Sequence, residues 1–444
     1  MARYHRKKLP QEPVETEVQR LSHDGRGIAQ IDGKTIFISG ALPNETVLFR
    51  YTNKQKNFDE GMTLEVLKPA PERVEPPCEH FGVCGGCSLQ HLSPADQIQL
   101  KQDMLLEQFE HLGKVTPKNV MLPLQADSEG YRRKARLGVR YVTKKQSVLV
   151  GFREQHGGFL AELNQCKVLH PSVGERIMDL REMLTQLTVK DKIAQIEVAI
   201  GDEKTALVFR NLEPLTAEDE QLLCDFAEQH DLLVYLQPKG IDSVYPLYPQ
   251  NLPLESLSYS LPDENLSFQF STHDFTQINS GINRKMVQQA MDWLQPKADD
   301  EVLDLFCGLG NFTLPLAKRA KHVVGVEGSD SLVKRAKTNA EAQGIFNTEY
   351  YVANLAEQPL EHIWMQRNYD KILLDPPRSG AMEIIQALNL KHTKSIVYVS
   401  CNPSTLARDA GILVNEKGFK LVQTGVMDMF PHTAHVESMA LFER

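Results

Sequence analysis

Between residues 14 and 68 apolar and polar positions alternate in short runs (Glu15–Leu21, Gly27–Ile31, Thr35–Ile38, Glu45–Tyr51, Met62–Leu67), divided by turn residues at His23-Asp24-Gly25, Asp32-Gly33 and Pro43-Asn44. This spacing predicts five short strands forming a small barrel. Asp32-Gly33 between apolar runs is a two-residue hairpin signal by itself. Pro69–Pro77 holds four prolines in nine residues and reads as a linker. From about residue 93 the pattern becomes helical, through Leu100, Met104, Leu105, Gln108, Phe109 and Leu112, with Ser93-Pro94 suited to the N-cap and first turn. Residues 125 to about 265 read as mixed strands and helices without a motif that carries chemistry.

The last third changes to compact apolar runs, each ending in polar residues. Val302-Leu303-Asp304-Leu305 leads into the turn Phe306-Cys307-Gly308-Leu309-Gly310-Asn311, and His322–Val326 ends in Glu327. Thr348–Val352 ends near Asn354, Lys371–Leu374 runs into Asp375-Pro376-Pro377-Arg378, and Ser395–Val399 runs into Ser400-Cys401-Asn402-Pro403. Strands alternating with helices at this spacing predict a doubly wound sheet whose polar residues gather along one edge. The glycines of the first turn let a cofactor approach the backbone, and a carboxylate at Glu327 can accept both hydroxyls of a ribose. Thr313 replaces the third glycine of the dinucleotide fingerprint, which argues against NAD. Cys401 falls at the mouth of the sheet, where a soft nucleophile suggests covalent catalysis.

Length and composition add two or three domains for 444 residues and an ordinary core supply, 41% hydrophobic and 24% charged. No apolar run approaches the roughly 18 residues that cross a bilayer, and the basic start Arg3–Lys8 is followed by Pro and Glu, so neither a membrane nor a secretory route is expected. The expected location is cytoplasmic. Seven cysteines, three of them clustered, are too few for a disulfide framework. Cys78, Cys84 and Cys87, spaced by glycines, with Cys166 further on, read as a metal or cluster site; zinc stays open, and the spacing favours a [4Fe-4S] cluster. Cys224 and Cys307 read as core residues. The net charge of −9 does not exclude RNA, because basic residues collect in Arg3–Lys8 and in Tyr131–Arg136 with Arg140, Lys144 and Lys145.

Read together, several of these segments carry a resemblance. Ser22–Ala29 with Ala41–Glu45 resembles the TRAM domain, an OB-like RNA-binding barrel, with Asn44 where glycine is expected. Phe275–Asn279, Asp304–Asn311, Asp375–Arg378, Ser400–Pro403 and Pro431–Glu437 resemble, in order, the uracil-5 RNA methyltransferases, class I enzymes dependent on S-adenosyl-L-methionine. With the barrel and four cysteines the resemblance spans nearly the full chain and looks like the members acting on 23S ribosomal RNA; it implies that tRNA members lack the barrel and cluster. The resemblance implies a multidomain protein: an N-terminal OB-like β-barrel (TRAM, 12–70), a central α+β domain carrying an iron-sulfur cluster (71–92 and 125–268), and a C-terminal α/β Rossmann-like class I methyltransferase domain (269–444), with 93–124 a helical segment that packs on it.

Carbon 5 of uracil is too weak a nucleophile to take a methyl group from a sulfonium unaided, so attack at carbon 6 must first make an enolate. The resemblance gives that attack to Cys401 and removal of the carbon-5 proton to Glu437. It gives Phe306, Asn311, Glu327 and Asn354 to the cofactor, with Gln277 and Asp375 at the junction of sulfonium and base, and Cys78, Cys84, Cys87 and Cys166 to the cluster. The implied partner is 23S rRNA, free or in a pre-ribosomal particle, bound by a monomer, with neither DNA nor membrane. Two rival classes are an amine or amide methyltransferase, disfavoured by Arg378 in the aromatic position of its tetrapeptide, and a noncatalytic RNA-binding iron-sulfur assembly factor, which has no need of Cys401.

Overall fold

The computed structural model describes residues 9–10, 12–357 and 362–444; the basic run Arg3–Lys8 lies outside the described residues. The chain divides into two compact units, one of Met1–Lys101, Arg153–Ala161 and Phe430–His435, the other of Gln102–Phe152, Glu162–Met429 and Val436–Arg444.

The first unit is built on β1 (Val14–Glu17), β2 (Arg20–Leu21), β3 (Gly27–Ile31), β4 (Lys34–Ser39), β5 (Thr46–Lys54) and β6 (Phe58–Lys68), in the order β1-β5-β6-β4-β3-β2. The expected strand Glu15–Leu21 is split, and the split closes the sheet: β1 pairs with β5 and β2 with β3, while Val18 N–H bonds Glu45 O and Gln19 N–H bonds Ile28 O. One continuous run thus serves both edges and leaves neither open. Inside lie Val18, Ala29, Ile36, Ile38, Ala41, Val47, Phe49 and Tyr51. Asp32 and Gly33 both take positive φ (51° and 76°) and join β3 to β4, as the hairpin signal required. Asn44 has φ +64°, the left-handed turn that asparagine tolerates in place of glycine.

The proline-rich segment is no free linker. Fully buried Glu45 accepts from Leu42 N–H (2.8 Å), Ala70 N–H (3.2 Å) and both arms of Arg73, whose Nε lies 2.5 Å away. Arg73 also donates to Gly40 O, so residues 70–73 are laced to the barrel end. These donors hold the Glu45 carboxyl below its ordinary range against the opposing cost of burial.

In the second unit, β7 (Asn119–Val120) precedes a six-stranded sheet of β8 (Lys134–Val142), β9 (Ser147–Gly151), β10 (Ile193–Ile200), β11 (Thr205–Asn211), β12 (Leu232–Leu236) and β13 (Tyr245–Tyr248). A hairpin of β14 (Leu257–Leu261) and β15 (Leu266–Phe270) leads to the helix Ser280–Leu294. Then follow β16 (Glu301–Leu305), β17 (His322–Glu327), β18 (Thr348–Val352), β19 (Lys371–Leu374), β20 (Ser395–Ser400), β21 (Lys420–Met427) and β22 (Glu437–Glu443). Their order is β18-β17-β16-β19-β20-β22-β21-β7; β16 to β20 run parallel and β22 enters antiparallel to β20. Strand order reverses at β16, so a cleft is expected beyond the carboxyl ends of β16 and β19. The helix Pro94–Gln108 is capped by Ser93, which accepts from Asp96 N–H. Its last residue, Gln108, accepts from Ser404 Oγ on the helix Pro403–Asn415 (3.0 Å), and β7 extends the large sheet beside β21.

Three residues of the basic stretch expected to meet phosphate are paired within their own unit. Arg133 pairs with Asp202 (2.6 Å), Arg136 with Glu197 (3.0 Å) and Lys145 with Glu162. Half-buried Lys134, its ammonium pushed down to about 8 by desolvation, donates to Asp274 O. Arg140 and Lys144 stay exposed.

Glu45→Ala strips Arg73 of its partner and leaves the N–H groups of Leu42 and Ala70 unpaired, so barrel stability should fall by about 3 kcal/mol. Urea unfolding followed through barrel-specific amide signals checks this; an unchanged midpoint contradicts it.

Candidate active site

All the polar residues named along the large sheet fall at the carboxyl ends of its parallel strands. Phe306 begins the turn after β16 with φ +64°, its N–H and that of Cys307 bonded to Val326 O, and Gly308 and Gly310 continue it at +54° and +91°. A Cβ added at Gly308 would meet nothing within 4 Å, so the turn presents bare backbone to open space. Glu327, the last residue of β17, accepts from Gly308 N–H (3.2 Å) through one oxygen and from Ser329 N–H (3.0 Å) through the other. Asn354, just past β18, is exposed and folds back on its own loop, donating to Glu357 and accepting from Ala356 N–H. Gln277 lies upstream of the helix Ser280–Leu294, and its Nε2 donates to Asp375 Oδ2 at 3.5 Å.

Asn311 is engaged rather than open. It exchanges hydrogen bonds with Asn283 (2.9 and 3.1 Å), and its Oδ1 also accepts from Tyr259 O–H (3.0 Å). The network ties the glycine turn to β14 and to the first turn of the helix Ser280–Leu294. Neither Tyr259 nor Asn283 was legible as a site residue, since nothing local in sequence links them. A small cavity of about 20 Å³ lined by Tyr259, Gln277 and Asn283 adjoins this network.

Cys401 and Glu437, far apart in sequence, are brought together by strand register. β20 and β22 pair antiparallel with Ser400 opposite Ser438, so the next position outward sets Cys401 against Glu437. Glu437 is buried and Cys401 half-buried. Burial chiefly, then the charges of Glu437 and Asp375, push the Cys401 thiol up to about 11, and Arg378 opposes them. Desolvation likewise raises the Asp375 carboxyl to about 7. Asp304, wholly buried and bonded to Thr313 Oγ1 at 2.5 Å, is pushed up to about 8 by burial, with further contributions from Asp375 and Glu327. Cys307 is buried beneath the glycine turn and desolvation raises its thiol well above the ordinary value, consistent with a packing residue.

The Glu327 carboxylate thus holds the open glycine turn, while Asp375 and Glu437 stand within electrostatic reach of Cys401. That donor set suits a cationic ligand carrying a ribose.

The cysteines expected to hold a metal divide between the units, Cys78, Cys84 and Cys87 in the first and Cys166 in the second. None forms a disulfide. Among the described residues no group of three or more His, Cys, Asp or Glu is arranged to hold a metal ion, so the geometry does not carry the expected cluster. The loop is fixed instead by hydrogen bonds from Cys84 N–H to His80 O, from Gly85 N–H to Arg153 O and from Gly86 N–H to Cys84 Sγ (3.4 Å).

A sequence profile of the tRNA (Uracil-5-)-methyltransferase family matches residues 250–444. The 23S rRNA (uracil(1939)-C(5))-methyltransferase RlmD of Hahella chejuensis is 53% identical over 444 residues, covering 99% of each chain. That of Methylococcus capsulatus is 52% identical over 439 residues, again 99% of each. The crystal structure of Pyrococcus abyssi tRNA (uracil-54, C5)-methyltransferase with S-adenosyl-L-homocysteine superposes with a TM-score of 0.74 at 23% identity, over 96% of this chain and 99% of that one. Strand order, glycine turn and edge carboxylates define a class I S-adenosylmethionine-dependent methyltransferase. Within that class the chain belongs to the RlmD family of 23S rRNA (uracil-C5)-methyltransferases. The expectation that tRNA members lack the barrel needs correction, because the archaeal tRNA enzyme shares the fold across nearly the whole chain.

If Glu437 and Arg378 act on the thiol as their positions indicate, Glu437→Gln should speed alkylation of Cys401 by iodoacetamide by about threefold or more near pH 8, and Arg378→Ala should slow it. Rates located by peptide mass spectrometry check the signs; equal rates in both variants contradict the arrangement.

Proposed function

We propose that the protein transfers a methyl group from S-adenosyl-L-methionine to carbon 5 of a uridine in 23S rRNA, the one its relatives' names number 1939, through a covalent adduct between Cys401 and carbon 6. The observation that carries this reading is the Cys401–Glu437 juxtaposition at the sheet edge, with Asp375 and Arg378 in electrostatic reach.

The sulfonium of S-adenosylmethionine supplies the methyl group. Phe306, the open backbone at Gly308 and the Glu327 carboxylate are suited to hold its nucleoside, and Asn311 braces that turn. Asn354 is assigned to the adenosine end on position alone. Cys401 adds to carbon 6, forming a C–S bond while the C5=C6 electrons move onto the carbon-4 oxygen. Its proton passes to a facing carboxylate; Asp375, raised to about 7, is matched to accept it near neutrality. Carbon 5 then takes the methyl group, the methyl–sulfur bond breaking. Glu437 removes the carbon-5 proton, the C5=C6 bond re-forms, and the Cys401 thiolate leaves. Gln277, bonded to Asp375, lies where base and sulfonium meet. The target base must leave its stack to reach this edge.

Full-length identity above one half favours ribosomal over transfer RNA, whereas the archaeal likeness bears on fold alone. The proposal includes a [4Fe-4S] cluster on Cys78, Cys84, Cys87 and Cys166, supported by their spacing alone and given no part in methyl transfer. Four iron and four acid-labile sulfide per chain in anaerobically purified protein is the expected result; stoichiometric zinc contradicts it. No helix among the described residues is long and apolar enough to cross a membrane. A monomer acting in the cytoplasm on free or pre-ribosomal RNA completes the proposal.

Methyl transfer from labelled S-adenosylmethionine to unmodified 23S rRNA and to tRNA tests the reading. Wild type should label 23S rRNA as 5-methyluridine, and Cys401→Ala should lose a thousandfold or more, about the effect of deleting a catalytic nucleophile, while binding RNA nearly as well. Glu437→Gln should accumulate a denaturation-resistant protein–RNA adduct, because elimination is blocked after addition. Label in tRNA alone overturns the substrate, and undiminished turnover by Cys401→Ala overturns the mechanism in favour of the assembly-factor reading.

A further inference from the structure

The two loops that carry Arg378 and Cys401 are joined behind the site by a buried carboxylate with no contact to the reacting edge. Asp409, on the helix Pro403–Asn415, is 0% exposed. Its Oδ2 accepts from Tyr398 O–H on β20 and from Ala381 N–H in the loop after β19, both at 2.7 Å. Its Oδ1 accepts from Arg408 Nε at 2.8 Å, and Arg408 Nη2 reaches on to Ser379 O at 2.9 Å. Adjacent side chains on a helix do not normally face the same way; here Arg408 and Asp409 both turn toward residues 379–381. Gly380 (φ +81°) makes room for them, since a Cβ there would lie 2.5 Å from Arg408 Nη2 and 2.7 Å from Asp409 Oδ2. Nearer the edge, Asn402 Nδ2 donates to Arg378 O at 3.0 Å.

A buried carboxylate is costly unless its lone pairs are filled by donors. This one collects them from the nucleophile's strand, the helix that follows the nucleophile, and the loop that bears Arg378. We propose that Asp409, with Tyr398 and Arg408, is a positioning residue for the reaction, locking the Arg378–Ala381 loop so that the Arg378 guanidinium stays within reach of the Cys401 sulfur. The inference rests on the proposed role of Cys401 and adds the element that keeps the favourable Arg378 cation in place. An amide at position 409 turns a donor toward Arg408 or Ala381, dislodging the loop without altering volume.

The test compares wild type, Asp409→Asn and Tyr398→Phe as full-length proteins. The pH dependence of iodoacetamide alkylation at Cys401 is read by mass spectrometry without RNA, alongside kcat and KM for methyl transfer. The expected result is a midpoint displaced upward, with alkylation near pH 8 and kcat each down about tenfold in Asp409→Asn and less in Tyr398→Phe, and both KM values within about twofold of wild type. An unchanged alkylation profile in a variant that melts like wild type overturns the proposal, whatever happens to kcat. Should Asp409→Asn fail to fold, Tyr398→Phe, which removes a single donor, decides. Absence of methyl transfer by wild type would instead count against the proposed function and leave the alkylation comparison standing.

Discussion

The antiparallel pairing of β20 with β22 is the constraint on which the proposed chemistry depends. A nucleophile that adds to one carbon of a ring and a base that removes a proton from its neighbour must stand a few ångströms apart on opposite sides of the reacting bond. Register sets up that spacing: with Ser400 fixed opposite Ser438, Cys401 leaves the ladder one residue beyond its last pair, on the side of Glu437. A slip of one residue would also exchange the two buried faces of both strands, sending every side chain into packing shaped for another. Hydrophobic burial in the sheet thereby holds the proposed catalytic pair, and the two needs are met by one set of contacts.

The pair is held in a resting electrostatic state. Two carboxylates and a desolvated setting keep the thiol protonated, so free Cys401 is a poor nucleophile and is protected from indiscriminate alkylation or oxidation. Arg378 and, on the proposed reading, the cationic sulfonium act in the opposite sense. The site then gains nucleophilicity as it fills, and the buried Asp409 network keeps the resident cation from drifting off while it is empty of RNA.

Much of this was legible in the sequence where one residue type answers one local demand. Parallel strands covered on both faces read as continuous apolar runs, and their polar ends identified Glu327, Asp375 and Cys401 as edge residues. Asp32-Gly33, Asn44 and Ser93 announced a hairpin, a left-handed turn and a helix cap because each acts within a few residues of itself. Features made by distant partners stayed hidden. β7 is two residues long and exists only through β21. The prolines at 69–77 suggested a linker because Arg73 shows nothing of Glu45 until the barrel closes. Basic residues at 133–145 gave no sign of Asp202, Glu197 and Glu162, which pair with three of them from elsewhere in the chain. Asp409 sits in an ordinary amphipathic helix, and only its burial marks it.

The most direct test of the central claim replaces the proton at carbon 5 with an atom no base can remove. RNA carrying 5-fluorouridine at the target position should be attacked and methylated, then trapped. Mass spectrometry of the digested complex is predicted to find the peptide containing Cys401 joined to a methylated 5-fluorouridine nucleotide. An adduct on another cysteine, or methylation without any adduct, would contradict the account.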